Sequence, residues 1–154
     1  MSDFEFDDIL ESSFDEVEEP KTPPSGTWEL EVISGKLRKR NGENGGPIGE
    51  ASFACKLVKA LDDVNDAQLT EFGDNGIEVS RVYHQIGIWE RRDEWNIKRF
   101  LEKVLGVSTE GLSKSEGVAA AKGYHFTAFL KHSLNEKDPD NPYVNTEDVR
   151  SIDY

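Results

Sequence analysis

Apolar and polar residues alternate from Thr27 onward, with Trp28, Leu30 and Val32 falling between Thr27, Glu29 and Glu31. A period of two marks a strand with one buried face, so a first strand is expected from Thr27 to about Arg38. Asn41-Gly42 and Asn44-Gly45-Gly46-Pro47 follow as a loop. Phe53, Cys55 and Leu57 then share one face, opposite Ser52 and Lys56, and predict a second strand over about Ala51–Leu61. Asp62–Asn75 reads as an inserted excursion with a short helical turn at Asp66–Phe72, and Asp74-Asn75-Gly76 as a further turn. A third strand is expected from Ile77 to Trp89, with Gly87 as a bulge or close-packing position.

The period then lengthens. Asp93 is a capping residue, and Ile97, Phe100, Leu101, Val104 and Leu105 recur at helical spacing before Gly106. Ser113-Lys114-Ser115-Glu116 has capping-box spacing ahead of a weaker helix at Val118–Ala121, which Gly123 ends. A fourth strand is expected over Tyr124–Leu134, a polar turn at Asn135–Pro142 and a fifth strand over Tyr143–Ile152. Three strands, a helical segment and two strands is the order of a five-stranded oligonucleotide-binding (OB) barrel, whose helix lies between strands three and four. The fold class is therefore mainly β. An open antiparallel sheet with a covering helix is the second choice.

Charge divides the 154 residues unevenly. The total is −13, but residues 1–26 hold nine acids and one base, 27–133 sixteen acids and fifteen bases, and 134–154 six acids and two bases. The body is near neutral and the ends are acidic. Residues 1–24 are expected to be a disordered acidic arm, because few apolar residues stand against the cost of ordering the chain. Residues 25–154 form the folded domain. Phe4, Phe6, Ile9, Leu10 and Phe14 sit among the arm's acids, at roughly helical spacing from Phe6, so the arm is a candidate protein-interaction segment.

Catalytic signals are missing. His84, His125 and His132 match no ligand spacing and read as satisfied core or surface residues, and Cys55 lies on an apolar strand face. No nucleophile elbow, phosphate loop or dinucleotide fingerprint occurs. Neither a metal nor a cofactor is expected. A single Cys fits a reducing compartment, and without a leader or membrane span the expected location is the cytoplasm.

Binding signals are present. Lys36, Arg38, Lys39 and Arg40 end the first strand, and Lys56 lies in the second. Arg81, Tyr83 and Trp89 share a parity in the third strand, and Phe129 and Lys131 lie opposite the core parity of the fourth. Cations that neutralise phosphates and rings that stack bases suit single-stranded nucleic acid. Trp28, Phe100 and Phe126 are expected in the core.

The chain resembles bacteriophage single-stranded DNA-binding proteins with an OB fold. The resemblance rests on the acidic start Asp3-Phe4-Glu5-Phe6-Asp7-Asp8, Pro-Ser-Gly-Thr-Trp at Pro24–Trp28, the basic strand end and glycine loop at Lys36–Gly49, Leu105-Gly106-Val107, and the stretch Asn145–Ser151. It implies sequence-independent binding and protection of single-stranded DNA in phage replication, recombination or repair, without catalysis. The arm would then engage replication or recombination proteins, and the chain would work as a monomer or dimer. The excursion at Asp62–Asn75 and the N-terminal place of the acidic arm depart from this pattern. The alternative is an acidic adaptor or DNA-mimic decoy that binds no DNA itself. A small hydrolase or nuclease ranks far below both.

Overall fold

The computed structural model describes residues 21–152. Five strands, β1 (Gly26–Lys39), β2 (Gly49–Ala60), β3 (Arg81–Ile88), β4 (His125–Ser133) and β5 (Tyr143–Arg150), form one antiparallel sheet in the order β3-β2-β1-β4-β5. The arm residues Phe4, Phe6, Ile9, Leu10 and Phe14 lie outside the described residues.

Strand β1 organises the sheet. It pairs with β2 from Trp28 to Lys39 and with β4 from Gly26 to Glu31. Trp28, Leu30 and Val32 point into the core and are fully buried. The register with β2 then slips between Val32 and Ser34. One extra residue in a strand reverses which face the following residues occupy. Beyond the slip Gly35 is opposite Phe53 and Leu37 opposite Ala51, so the odd positions now face inward. Ser34, Lys36 and Arg38 are turned to the other face.

The inner face meets α2 (Glu94–Arg99), which continues as a π-helical turn over Phe100–Leu105, and α3 (Lys114–Ala119). Ile97, Phe100, Leu101 and Leu105 are buried on one side of this segment, as their spacing requires. Gly106 ends it in the left-handed conformation, φ 84°. Asp93 does not cap forward. Its carboxylate accepts the backbone N–H of Trp89 and Glu90 at 2.9 and 3.0 Å, tying the end of β3 to the helical segment. Ser113 and Glu116 do form the capping box of α3. Gly35 is required where α3 crosses β1, because a Cβ there would strike the Val118 carbonyl oxygen.

The segment after β2 differs from expectation. It forms α1 (Asp66–Val79), with Asn65 accepting from the Gln68 N–H at 3.0 Å as its N-cap. The helix bends at Gly73, φ 71° and ψ 173°, then resumes through the Asp74-Asn75-Gly76 turn signal. Phe72 is buried edge-on against Trp28, ring centroids 6.1 Å apart, and its ring lies over Gly76. That docking keeps the second half helical, so Ile77–Val79 belong to α1 and β3 begins only at Arg81.

Strands β3 and β5 are the edges of the sheet, which is not closed by main-chain pairing. The sheet curls enough for side chains to meet across the gap, where His84 Nδ1 lies 2.7 Å from Thr146 Oγ1. The same imidazole packs 4.7 Å from Phe100 and 5.9 Å from Phe126, centroid to centroid. Burial lowers its pKa to about 4. The folded protein therefore holds His84 neutral, whereas the unfolded chain protonates it near its ordinary value of about 6.5. Between these two values the unfolded state binds more protons, so stability falls as pH drops through the window. Denaturant unfolding should show a loss on the order of 2–3 kcal/mol between about pH 7 and pH 4 from this group. His84→Gln should flatten that part of the profile.

Candidate nucleic-acid interface

The slip in β1 creates the outer face of β1, β2 and β3. Residues paired across antiparallel strands share a face, so the pairing gives successive rows. Ser34, Ala54 and Tyr83 form one row, Lys36, Ser52 and Gln85 the next, and Arg38, Glu50 and Gly87 a third. The middle of this face is floored by small residues: Ser34, Ser52, Ala54 and Gly87. Two rings stand on it, Tyr83 at 53% and Trp89 at 56% exposure.

Trp89 is held rather than loose. Its indole lies on Gly87, where a Cβ would come within 2.5 Å of the ring. Its Nε1–H donates to the Gly45 carbonyl at 3.0 Å and ties β3 to the β1–β2 loop. Gly87 is thus a close-packing position, since the β2–β3 register runs through it without a slip.

Cations border the same end. Arg38 and Arg40 lie 3.7 and 3.4 Å from the carboxylate of Glu50, which is only 6% exposed. A buried carboxylate needs such partners, because losing water costs several kcal/mol per ion. Both guanidiniums remain about half exposed, so they are positioned by Glu50 and still open to a ligand. Lys36 is exposed on the same side, and Lys39 is exposed at the strand end on the opposite parity.

The remaining candidates have other partners or places. Lys56 lies 3.5 Å from Glu31. Arg81 Nη1 donates to the carbonyls of Glu78 and Ser80 at 3.0 and 2.8 Å, holding the end of α1. Phe129 and Lys131 lie on β4, two strands from Tyr83's neighbour β2 along the sheet. Phe129 is paired with Thr27 and Glu147, whereas Tyr83 reaches Ser34 through Ala54. Along β1, Thr27 and Ser34 are roughly seven strand positions apart, on the order of 20 Å, and on the other side the curl of the sheet brings His84, next to Tyr83, against Thr146, next to the Glu147 paired with Phe129. The acids near Phe129 are all paired, Glu29 with Lys59 and Glu31 with Lys56. Lys131 faces Glu147 at 3.9 Å, and His125 lies between Glu29 and Glu31 at 2.8 and 3.3 Å.

The floor of small residues and the role of Glu50 were not anticipated from the sequence. The signal available was the run of small side chains on the polar parity of β2, at Ser52 and Ala54. Cys55, as expected, is a core residue, and burial pushes its thiol up to about 12, far from nucleophilic use. Among the described residues no group of three or more His, Cys, Asp or Glu is placed to hold a metal ion. Nor is any helix among them long and apolar enough to cross a membrane. No family model, curated protein or solved structure matches the chain.

Trp89→Phe keeps a ring over Gly87 but removes the Nε1–H donor. It should raise amide hydrogen exchange across Glu43–Ile48 and lower stability by roughly 0.5–1.5 kcal/mol, the usual net worth of one hydrogen bond. Unchanged exchange in that loop would show that the indole bond does not hold it.

Proposed function

We propose that the protein binds single-stranded DNA without sequence preference and without catalysis, through the outer face of β1, β2 and β3. The reading is carried by one observation: two exposed rings stand on a floor of small residues, at the end bordered by Lys36, Arg38, Lys39 and Arg40. Small residues let bases approach the sheet, the rings offer stacking faces and the cations meet phosphates. Such contacts read no base edges, and coating or protection of single strands in phage replication, recombination or repair fits them.

The fold supports the same reading. The strand order, the helix between β3 and β4 and the approach of His84 to Thr146 all fit a five-stranded OB-type barrel whose last seam is made by side chains. The ligand face is then Lys36, Arg38, Arg40, Tyr83 and Trp89, with Lys39 at the strand end on the opposite parity. Lys56 and Arg81 border it, and Phe129 and Lys131 lie on β4. A second reading, the acidic adaptor or decoy, is favoured by the net charge of −13.

Fluorescence anisotropy with labelled oligo-dT separates the two. The proposal expects binding that weakens as salt rises and that duplex competes for poorly. Tyr83→Ala should weaken binding roughly 5- to 100-fold, the range for loss of one stacked base, with little change in melting because the ring is exposed. Lys36→Ala should lower the salt slope by about 0.7 if it neutralises one phosphate of a single strand. No binding by the intact chain at low salt would overturn the proposal and favour the adaptor.

A further inference from the structure

The helical side of the molecule carries a cleft of about 640 Å³ between the start of α2 and the approach to α3. Ile97 and Leu101 are buried at its base, and Trp95 and Leu112 stand open in it at 55% and 39% exposure. Arg91, Arg92, Lys98 and Lys114 also line it, against the single acid Glu94. Arg92 and Lys114 are paired with Glu90 and Glu94. Among the described residues neither Arg91 nor Lys98 is ion-paired, and both are exposed. An open indole in an apolar recess with unpaired cations at its rim suits a ligand that brings both apolar groups and negative charge.

Residues 1–20 of the chain have that chemistry. They hold nine acids and no Lys or Arg. Phe6, Ile9, Leu10, Phe14 and Val17 recur among the acids at the spacing of one helical face. Through such a row of anchors an amphipathic segment fills an apolar groove. The outer face of β1, β2 and β3 is cationic as well, but its floor of Ser34, Ser52, Ala54 and Gly87 gives apolar anchors no recess.

The tether decides whose segment fills the cleft. Only Glu18, Glu19 and Pro20 separate Val17 from Lys21, where the described residues begin. Along an extended chain Phe14 lies up to about 24 Å from Lys21 and Phe6 up to about 50 Å. With Phe6–Val17 helical, Phe6 still lies up to about 32 Å away. A domain of about 130 residues is a body roughly 36 Å across. In either form the segment spans most of the molecule to which it is joined. Held so close, it meets the cleft at an effective concentration on the order of 1 mM. A second copy at micromolar concentration offers the same segment roughly a thousandfold more dilute. We infer that the cleft takes the acidic Phe6–Val17 segment of its own chain, with apolar side chains on Trp95 and Leu112 and carboxylates toward Arg91 and Lys98. The inference does not depend on the DNA-binding reading and is tested without DNA.

A nitroxide attached at Ser12→Cys reads the contact in the full chain, since buried Cys55 is shielded from the label. In ¹⁵N protein that itself carries the nitroxide, amides around Lys98 and Leu112 should broaden, and to the same extent after dilution with unlabelled protein. In nitroxide-free ¹⁵N protein mixed with nitroxide-bearing protein they should stay sharp. Broadening in the mixed sample, broadening at Lys36–Arg40 instead of the cleft, or no broadening at all would overturn the inference. Trp95→Glu with Lys98→Glu should abolish the signal at Leu112. Both side chains are exposed, and a thermal melt checks the fold of that variant. A fluorescent peptide of residues 1–20 gives a second measure. The full chain carrying Phe6→Ser with Phe14→Ser should bind it through the emptied cleft. The parent should bind it roughly tenfold or more weakly, because its own segment competes at an effective concentration of about 1 mM. Equal binding by the two, or no binding by the variant, would also overturn it.

Discussion

The register slip in β1 is the constraint on which the rest of the structure depends. Before it, Trp28, Leu30 and Val32 form the centre of the core, paired with β2 on one side and, from Gly26 to Glu31, with β4 on the other. After it, Gly35 and Leu37 carry the inward row, and Ser34, Lys36 and Arg38 are turned outward. An unbroken period of two would bury Lys36 and Arg38, each at a large desolvation cost. One extra residue avoids that cost and places both cations on a face with Tyr83 and Trp89. The same turn of the chain presents Gly35 to α3, the one residue type that tolerates the Val118 carbonyl so close.

Charge follows from placement rather than from totals. The chain is strongly acidic, yet Lys36, Arg38, Lys39 and Arg40 outnumber Glu43 and Glu50 at one end of the sheet. Glu50 does not simply cancel two of these cations. It is buried beneath Arg38 and Arg40 and fixes where their guanidiniums stand, a restraint that lowers the entropy lost when they meet a ligand. The stretch of the outer face around Phe129 carries Glu29, Glu31 and Glu147, each paired with a lysine: Lys59, Lys56 and Lys131. The two stretches share a sheet and differ in balance: cations are in excess at the Arg38 end, and acids and lysines match around Phe129.

Much of this was legible in the sequence. The alternation at Trp28–Val32, the helical spacing from Ile97 to Leu105, the capping box at Ser113 and the stop at Gly106 each report on a few neighbouring residues, and each element is found where they place it. The core roles of Trp28, Phe100 and Phe126 followed from the same patterns, because an apolar stripe has to be covered. Local signals also misled. Asp74-Asn75-Gly76 reads as a turn, but Phe72 docks on Trp28 and holds the chain helical to Val79. Asp93 has the chemistry of a forward cap, but it reaches back to Trp89 and Glu90.

Parity within single strands correctly put Tyr83 and Trp89 on the outer side of β3 and Phe129 on the outer side of β4. It could not say that Tyr83 stands beside Ala54 and Phe129 beside Thr27 and Glu147, because those neighbours are set by which strands pair and in what register. The sequence by itself determined the mainly β character, the helical segment between β3 and β4 and the uneven charge, since each is written in composition or in spacing along the chain. Only the tertiary structure decided the slip in β1, the burial of Glu50 beneath two arginines, the His84–Thr146 contact between sheet edges and the cleft beside Trp95. Each of these is a meeting of residues distant along the chain or a break in a regular period, and a local pattern carries no record of either.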